Sequence, residues 1–345
     1  MVFIDLAFSY ALLLWHMLWP ITFGLALSAL VRSYIPTDTI VHRLGGNHLE
    51  SAGLSVTLGA VSSVCNYATI GMGHTLREKG ASWSNTLAFM ISSTNVGITM
   101  LVAVYGFLGI RFLEIMVATA FAFIILAYLL AIAIKMPEPD VTVSTDKGES
   151  SHGNAWGKAC SFFRDDLNMT RKDILVGLLV ASSVSVLMPS SWWELLFWNV
   201  HEHGFLAWLW NAVIGIIIAI LTFGCSIGNV SLAAVLWWNG VSPGGVMAFL
   251  LSSLLTVPML RMSSQYYGLS VTIRQATVLF SSILLSCLLM DYILDSTSIY
   301  LVRSNMIAAN SGDRAIITLI LNLLIGGLGL IMFWKGKEGE DGCSI

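Results

Sequence analysis

Nine stretches of this chain are apolar over lengths that match a bilayer, and that leaves few folds open. They run over about 6–31, from Leu54 to just before Arg77, and over 83–108, 112–134, 174–190, 205–236, 244–260, 272–294 and 315–334. The runs are continuous rather than alternating, which selects helices over a barrel. Hydrophobic residues make up 56% of the chain and charged residues 11%. A soluble domain carries about 25% charge. The expectation is an all-α polytopic membrane protein. A net charge of −3 argues against a nucleic-acid partner.

The five cysteines, at 65, 160, 225, 287 and 343, form no CxxC and no zinc-like cluster with histidine. Neither a metal site nor a disulfide framework is expected. No P-loop, nucleophile elbow or dinucleotide fingerprint is present, so the reading is a non-enzyme without a cofactor. The opening Met1-Val2-Phe3-Ile4-Asp5 lacks a basic n-region, and the apolar stretch behind it is too long for a cleaved signal.

Charge divides the chain. Residues 135–173 hold 13 of the 37 charged side chains. The expected organisation is a first transmembrane repeat over 1–135, a charged cytoplasmic linker over 136–173, a second repeat over 174–295, and a ninth helix with a polar tail over 296–345. Within the linker, Trp156, Ala159, Phe163 and Leu167 share one helical face, which reads as a short interfacial helix. With nine crossings and a cytoplasmic linker, ten Lys and Arg fall inside and seven outside. That bias favours an inside N-terminus in the inner membrane.

The chain also matches itself at an offset of 160 residues. Cys65 to Gly80 pairs with Cys225 to Gly240, and Ser82 pairs with Ser242. Ala88-Phe89 pairs with Ala248-Phe249, and Ser92-Ser93 with Ser252-Ser253. The same offset superposes spans one to four on five to eight. Four crossings per half is an even number, so the expectation is two parallel four-helix repeats with broken central helices. The stretch 45–79 has 35 residues, about 52 Å as helix, and must tilt, break or project.

At these residues the chain resembles the predicted permease family that includes YraQ and the ArsP-type organoarsenical exporters. The carrying pieces are Arg43-Leu44-Gly45-Gly46-Asn47, Cys65, Arg77-Glu78-Lys79-Gly80-Ala81-Ser82 and Leu87-Ala88-Phe89. In the second half they are Cys225, Ala233-Ala234, Gly240, Ser242-Pro243-Gly244 and Ala248-Phe249. The resemblance covers about residues 10–295. It implies a permease that moves a small solute, with outward transport of a soft, thiophilic species such as a trivalent organoarsenical. The chain departs from the family where Tyr67 and Ala68 stand in place of Cys and Gly, and where Thr94, Leu254 and Ser231 stand in place of Pro. Those departures motivate a rival reading, a scaffold or accessory subunit on the permease fold.

Cys65, Asn66, Asn95, Cys225, Asn229 and Thr256 are the expected solute-lining residues. Thiolates suit soft ligands. Small hydroxyl and glycine positions are also what close helix packing in a membrane requires. His74 is the expected proton-coupling candidate, with a place at the cytoplasmic mouth as the alternative. Glu114, Arg274, Asp291 and Asp295 lie near span ends and read as interfacial anchors. Cys287 reads as packing, and Cys160 and Cys343 as outside the bilayer. His201, Glu202 and His203 read as a solvated outer loop.

Overall fold

The computed structural model describes residues 49–63, 66–78, 80–134, 136, 155–187, 196–198, 204–221, 226–297 and 312–341, with isolated helical positions between 7 and 33. Every element among these residues is helical. In chain order they are α1 (Leu49–Ser62), α2 (Asn66–Glu78), α3 (Trp83–Asn95), α4 (Ile98–Ala133), α5 (Ala155–Leu187), α6 (Phe205–Leu221), α7 (Ser226–Trp238) and α8 (Pro243–Leu251). A 3-10 turn follows (Ser252–Leu255), then α9 (Val257–Tyr267), α10 (Leu269–Thr297) and α11 (Gly312–Asp341). Three of the described helical stretches are long and apolar enough to cross a membrane: Trp83–Ala133, Pro243–Tyr267 and Leu269–Thr297. The chain is a helical membrane protein.

The residues behind the internal match are turn chemistry. Gly80 has φ 93° and Gly240 has φ 96°, a region that a Cβ disfavours. Each closes its helix in the same two-bond motif. Gly80 N–H donates to Arg77 O at 3.0 Å, and Ala81 N–H to Leu76 O at 2.9 Å. Gly240 N–H donates to Trp237 O, and Val241 N–H to Leu236 O, both at 3.2 Å. Ser82 and Ser242 then cap the next helix, each hydroxyl accepting from a backbone N–H at 3.3 Å. So α2 and α7 have the same length and the same ending, and α3 and α8 the same start.

The second apolar stretch is two helices rather than one. Ser92 Oγ donates to Val56 O, and Ser63 Oγ meets Thr99 Oγ1 at 2.9 Å, so α1 runs in the same direction as α3. Thr69 Oγ1 reaches Ser93 Oγ at 3.4 Å, while Gly73 faces Met90, so α2 runs opposite to α3. The chain therefore reverses between α1 and α2. α1 and α2 form a hairpin of 14 and 13 residues, each arm about 20 Å long against a ~30 Å hydrocarbon core. The reason is local. Ser63 takes φ 42° and its N–H closes on Gly59 O, which ends the helix without a charged or proline-rich turn. In the second half, α6 runs with α8: Asn211 Nδ2 donates to Ser242 Oγ at 3.1 Å, and Gly215 packs on Gly245 and Ala248.

The true crossings near the centre are interrupted helices. α3 breaks at Val96–Gly97, where Gly97 is extended (φ −61°, ψ 145°), and resumes as the first limb of α4. α8 breaks through the 3-10 turn to Thr256 (φ −62°, ψ 147°) and resumes as α9. Each then turns at a left-handed glycine, Gly109 (φ 82°) or Gly268 (φ 81°), into a long returning helix. The end of α9 lies at the start of α3, with the Trp83 and Tyr267 rings 4.9 Å apart. At the opposite face Phe112 meets Trp237, 5.4 Å apart, just before α8 begins. The two interrupted crossings thus run antiparallel. That is opposite to the direction a parallel repeat expects for these two stretches.

The linker helix also differs from expectation. α5 is one helix of 33 residues rather than a short interfacial piece. Its face at Ala159, Cys160 and Phe163 is buried, packed on α11. Gly329 of α11 meets Thr22 and Phe163, and Asn322 donates to Trp15 O, so the last helix clasps the N-terminal segment as well. Cys160 is a core residue here.

The hairpin depends on close approach. A Cβ at Gly59 would collide with the Phe89 carbonyl, whereas nothing lies near Gly53. Gly59→Val is expected to abolish the folded, monodisperse protein, and Gly53→Ala to leave it unchanged or up to about 1 kcal/mol more stable. Thermal unfolding in detergent with size-exclusion chromatography reads both.

Candidate functional site

The site grows from the two helix breaks. An interrupted membrane helix leaves backbone N–H and C=O groups that lipid has no means to satisfy. At the first break the hairpin tip supplies partners. Thr99 N–H donates to Ser63 Oγ at 3.2 Å, and the Ser63 and Thr99 hydroxyls pair at 2.9 Å. Gly97 lets this happen, because a Cβ there would overlap Ser63 Oγ. One turn into α2, Thr69 carries the contact on to Ser93. α3 packs against the 3-10 turn, so the two breaks are neighbours.

The expected lining residues fall unevenly on this frame. Cys65 and Cys225 lie outside the described residues, as do His201, Glu202, His203 and Cys343. Asn66 begins α2 and Asn95 ends α3, so both flank the first break, and both are buried. Thr256 caps α9 at the second break, its hydroxyl reaching back to Ser253 O at 3.4 Å. Asn229 sits at the position of α7 that matches Thr69 of α2 and is buried. Among the described residues, no hydrogen bond joins these four to one another. The three asparagines are incompletely satisfied. Asn66 Oδ1, Asn95 Oδ1 and Asn229 Nδ2 are buried without a partner, and so is Ser253 Oγ beside Thr256. Buried polar groups are nearly always paired, and these four are among several open side-chain atoms in the described residues.

The environment is neutral. α3, α8, the 3-10 turn and α7 carry no charged side chain. Thr94, at a family proline position, is bonded to Met90 O and Ile91 O, which keeps the last turn of α3 helical.

His74 is not at the breaks. It stands about 12 Å along α2 from Asn66, by helical rise, at the face where α9 ends. Its ring lies 4.8 Å from Tyr266 and 5.6 Å from Tyr267. Arg77 stacks on Trp83 at 4.7 Å, and Tyr267 Oη donates to Ile70 O at 3.2 Å. This cluster ties α2 and α3 to α9 and closes one face of the molecule. Cys287 is fully buried, as packing requires.

Asp291 is the residue that sequence position misjudged. It is 4% exposed, not an interfacial anchor, and its Oδ1 accepts from Gly244 N–H at 2.9 Å. Asp295, one turn on, is exposed. The signal that identifies Asp291 is the Ser242-Pro243-Gly244 start of α8, whose second helical residue must be glycine because any Cβ would run into this carboxylate.

Ser63→Ala removes the acceptor of a buried backbone N–H and the partner of a buried hydroxyl. A loss of about 1–3 kcal/mol in unfolding free energy is expected, measured by thermal or denaturant unfolding of the detergent-solubilised protein against wild type.

The family model described as "Predicted permease", of the ArsP type, matches residues 6–295. A Mycobacterium tuberculosis (strain ATCC 25618 / H37Rv) protein named as a permease is 31% identical over 292 residues, covering 76% of this chain and 70% of the relative. No solved structure matches the chain. With the family model spanning both interrupted crossings and both hairpin sequences, the chain belongs to the ArsP-type predicted permease family.

Proposed function

We propose that this permease is a secondary transporter made of two inverted halves, moving a small solute outward between its interrupted helices. The observation that carries the reading is the antiparallel pair of broken crossings, with open polar groups at the breaks and no charge around them. Broken helices at the interface of repeats are the usual substrate site of such carriers. A permease family also argues for transport rather than enzymatic turnover. Cys65 and Cys225 remain the proposed soft ligands, next in sequence to Asn66 and Ser226, and a trivalent organoarsenical remains the proposed substrate.

Charge supports the inverted arrangement. Counting 49–78 and 205–238 as hairpins leaves three crossings in each half. The face at Trp83 and Tyr267 then gathers fourteen of the seventeen Lys and Arg, and the other face only Arg111, Arg303 and Arg314. Counting nine crossings splits them ten to seven. The stronger bias makes the Trp83 face cytoplasmic, with the linker, in the inner membrane. It also moves the residues before the first crossing to the outer face.

Sidedness and transport are separate tests. Single cysteines at Glu50 and Thr75, both exposed, are expected to react with an impermeant maleimide from the cytoplasmic side alone; labelling from opposite sides would restore a crossing helix. In everted vesicles, wild type is expected to accumulate a trivalent organoarsenical under a proton gradient, and Cys65→Ser or Cys225→Ser to lower uptake at least several-fold. Accumulation no greater than in empty vesicles would remove arsenicals as substrate and favour the scaffold reading.

A further inference from the structure

We propose that Asp291 is the proton-binding site of this permease, reached from the outer face and acting on the N-terminus of α8. The proposal rests on the transporter reading above and adds the coupling ion and the residue that carries it.

An ionisable side chain inside a membrane helix is costly, and it persists where it has work to do. Asp291 is such a group: 4% exposed, with Oδ1 held by Gly244 N–H and Oδ2 without any partner. The open oxygen is where a proton goes. The fold itself does not require the carboxylate. At the 160-residue offset Asp291 corresponds to Ala131, buried at 2%, and Gly244 to Ser84. The first half builds the same helix start, with the same serine cap, using no acid at all.

The ligand is a proton rather than a metal cation. Asp291 offers a ligand one open oxygen, Oδ2. A metal also needs several further oxygens, and among the described residues no cluster of three or more His, Cys, Asp or Glu offers them. The charged and titratable groups on the elements packed against α10 leave the site isolated. On α4, Arg111 and Glu114 pair with each other at 3.3 Å in exposed positions, and Tyr105 is exposed. Tyr128 of α4 is half-buried, with its hydroxyl unpartnered. α6, α8 and the 3-10 turn carry no titratable side chain, and α9 carries an exposed Arg261 besides Tyr266 and Tyr267 at its far end. On α10 itself, Arg274, Tyr292 and Asp295 are exposed, and Cys287 is a buried neutral thiol one turn away.

The placement fits an exporter driven by inward proton movement. Asp291 lies about 33 Å along α10 from Leu269, by helical rise, at the end where α8 begins. That is the outer face of the inverted topology. A proton from the outer solution adds to a lone pair of Oδ2, and the carboxylate becomes a neutral acid with no other bond changed. Gly244 N–H then loses its charged acceptor and α8 loses the anion on its dipole. α8 leads directly into the 3-10 turn and Thr256, so the same helix connects the proton to the break.

Infrared spectroscopy of the full-length protein in nanodiscs, with carbon-13-labelled aspartate, tests this without any solute. Failure of the transport assay is therefore distinct from failure here. A label-sensitive C=O stretch of a buried protonated carboxyl is expected to grow as pH is lowered while the protein stays folded. It should reverse on raising pH and be lost in Asp291→Asn. Gly244→Ala, which forces the carboxylate off its seat, is expected to shift the same band, and covers the case in which Asp291→Asn does not fold. Absence of the band in folded wild type would make Asp291 a permanently ionised helix cap and overturn the proposal. So would its persistence in Asp291→Asn or an unmoved band in Gly244→Ala.

Discussion

A helix broken inside a bilayer survives only if protein satisfies what lipid leaves open, and this architecture answers that constraint. At the first break the answer is Ser63. Its positive φ ends α1, and its hydroxyl takes the Thr99 N–H at the start of α4. Gly59 and Gly97 bring the two backbones close enough for the bond to form. The hairpin of α1 and α2 is thus the prop that lets α3 and α4 be discontinuous. The Thr69–Ser93 contact and the close seat of Gly73 on Met90 hold its second arm to the same helix.

Much of this frame is legible in the sequence because turns and caps have narrow chemical requirements. The matching glycines at 80 and 240 are left-handed helix ends, and the serines at 82 and 242 are helix caps. A self-match found without a structure therefore picks out real punctuation. The break between α1 and α2 is legible, as a stretch too long for one crossing, but the reversal of the chain there is not. Apolar runs report burial, and a hairpin seated in protein is as apolar as a crossing helix. Ser62-Ser63 carries none of the glycine, proline or charge that marks a turn. The number of crossings per half decides whether matching halves run parallel or inverted.

The candidate site divides along the same line. Asn66, Asn95, Asn229 and Thr256 were readable because polar residues in apolar surroundings stand out, and all four are buried on the elements of the breaks or their hairpins. His74 stood out equally, yet it belongs to the aromatic closure at one face, with Tyr266 and Tyr267. Asp291 was discounted because it lies few residues from the end of an apolar span. Distance along one helix is a poor measure of burial when another helix starts beside it, and here the start of α8 covers it.

Comparing the halves separates what the fold needs from what the protein does. The devices present twice are structural: the glycine helix end, the serine cap, the interrupted crossing and the turning glycine that follows. A duplicated frame reproduces these because each half must solve the same backbone problem. The groups present once have no such reason to exist. Asp291 answers to Ala131, His74 to Ala234, and Tyr266 to Gly106. Each of these unshared groups lies at one of the two faces rather than at the breaks. A carrier needs its two faces to differ, since a symmetric machine would respond identically to the solutions on either side. The two halves share the neutral centre, and the carboxylate and the aromatic cluster are where they differ.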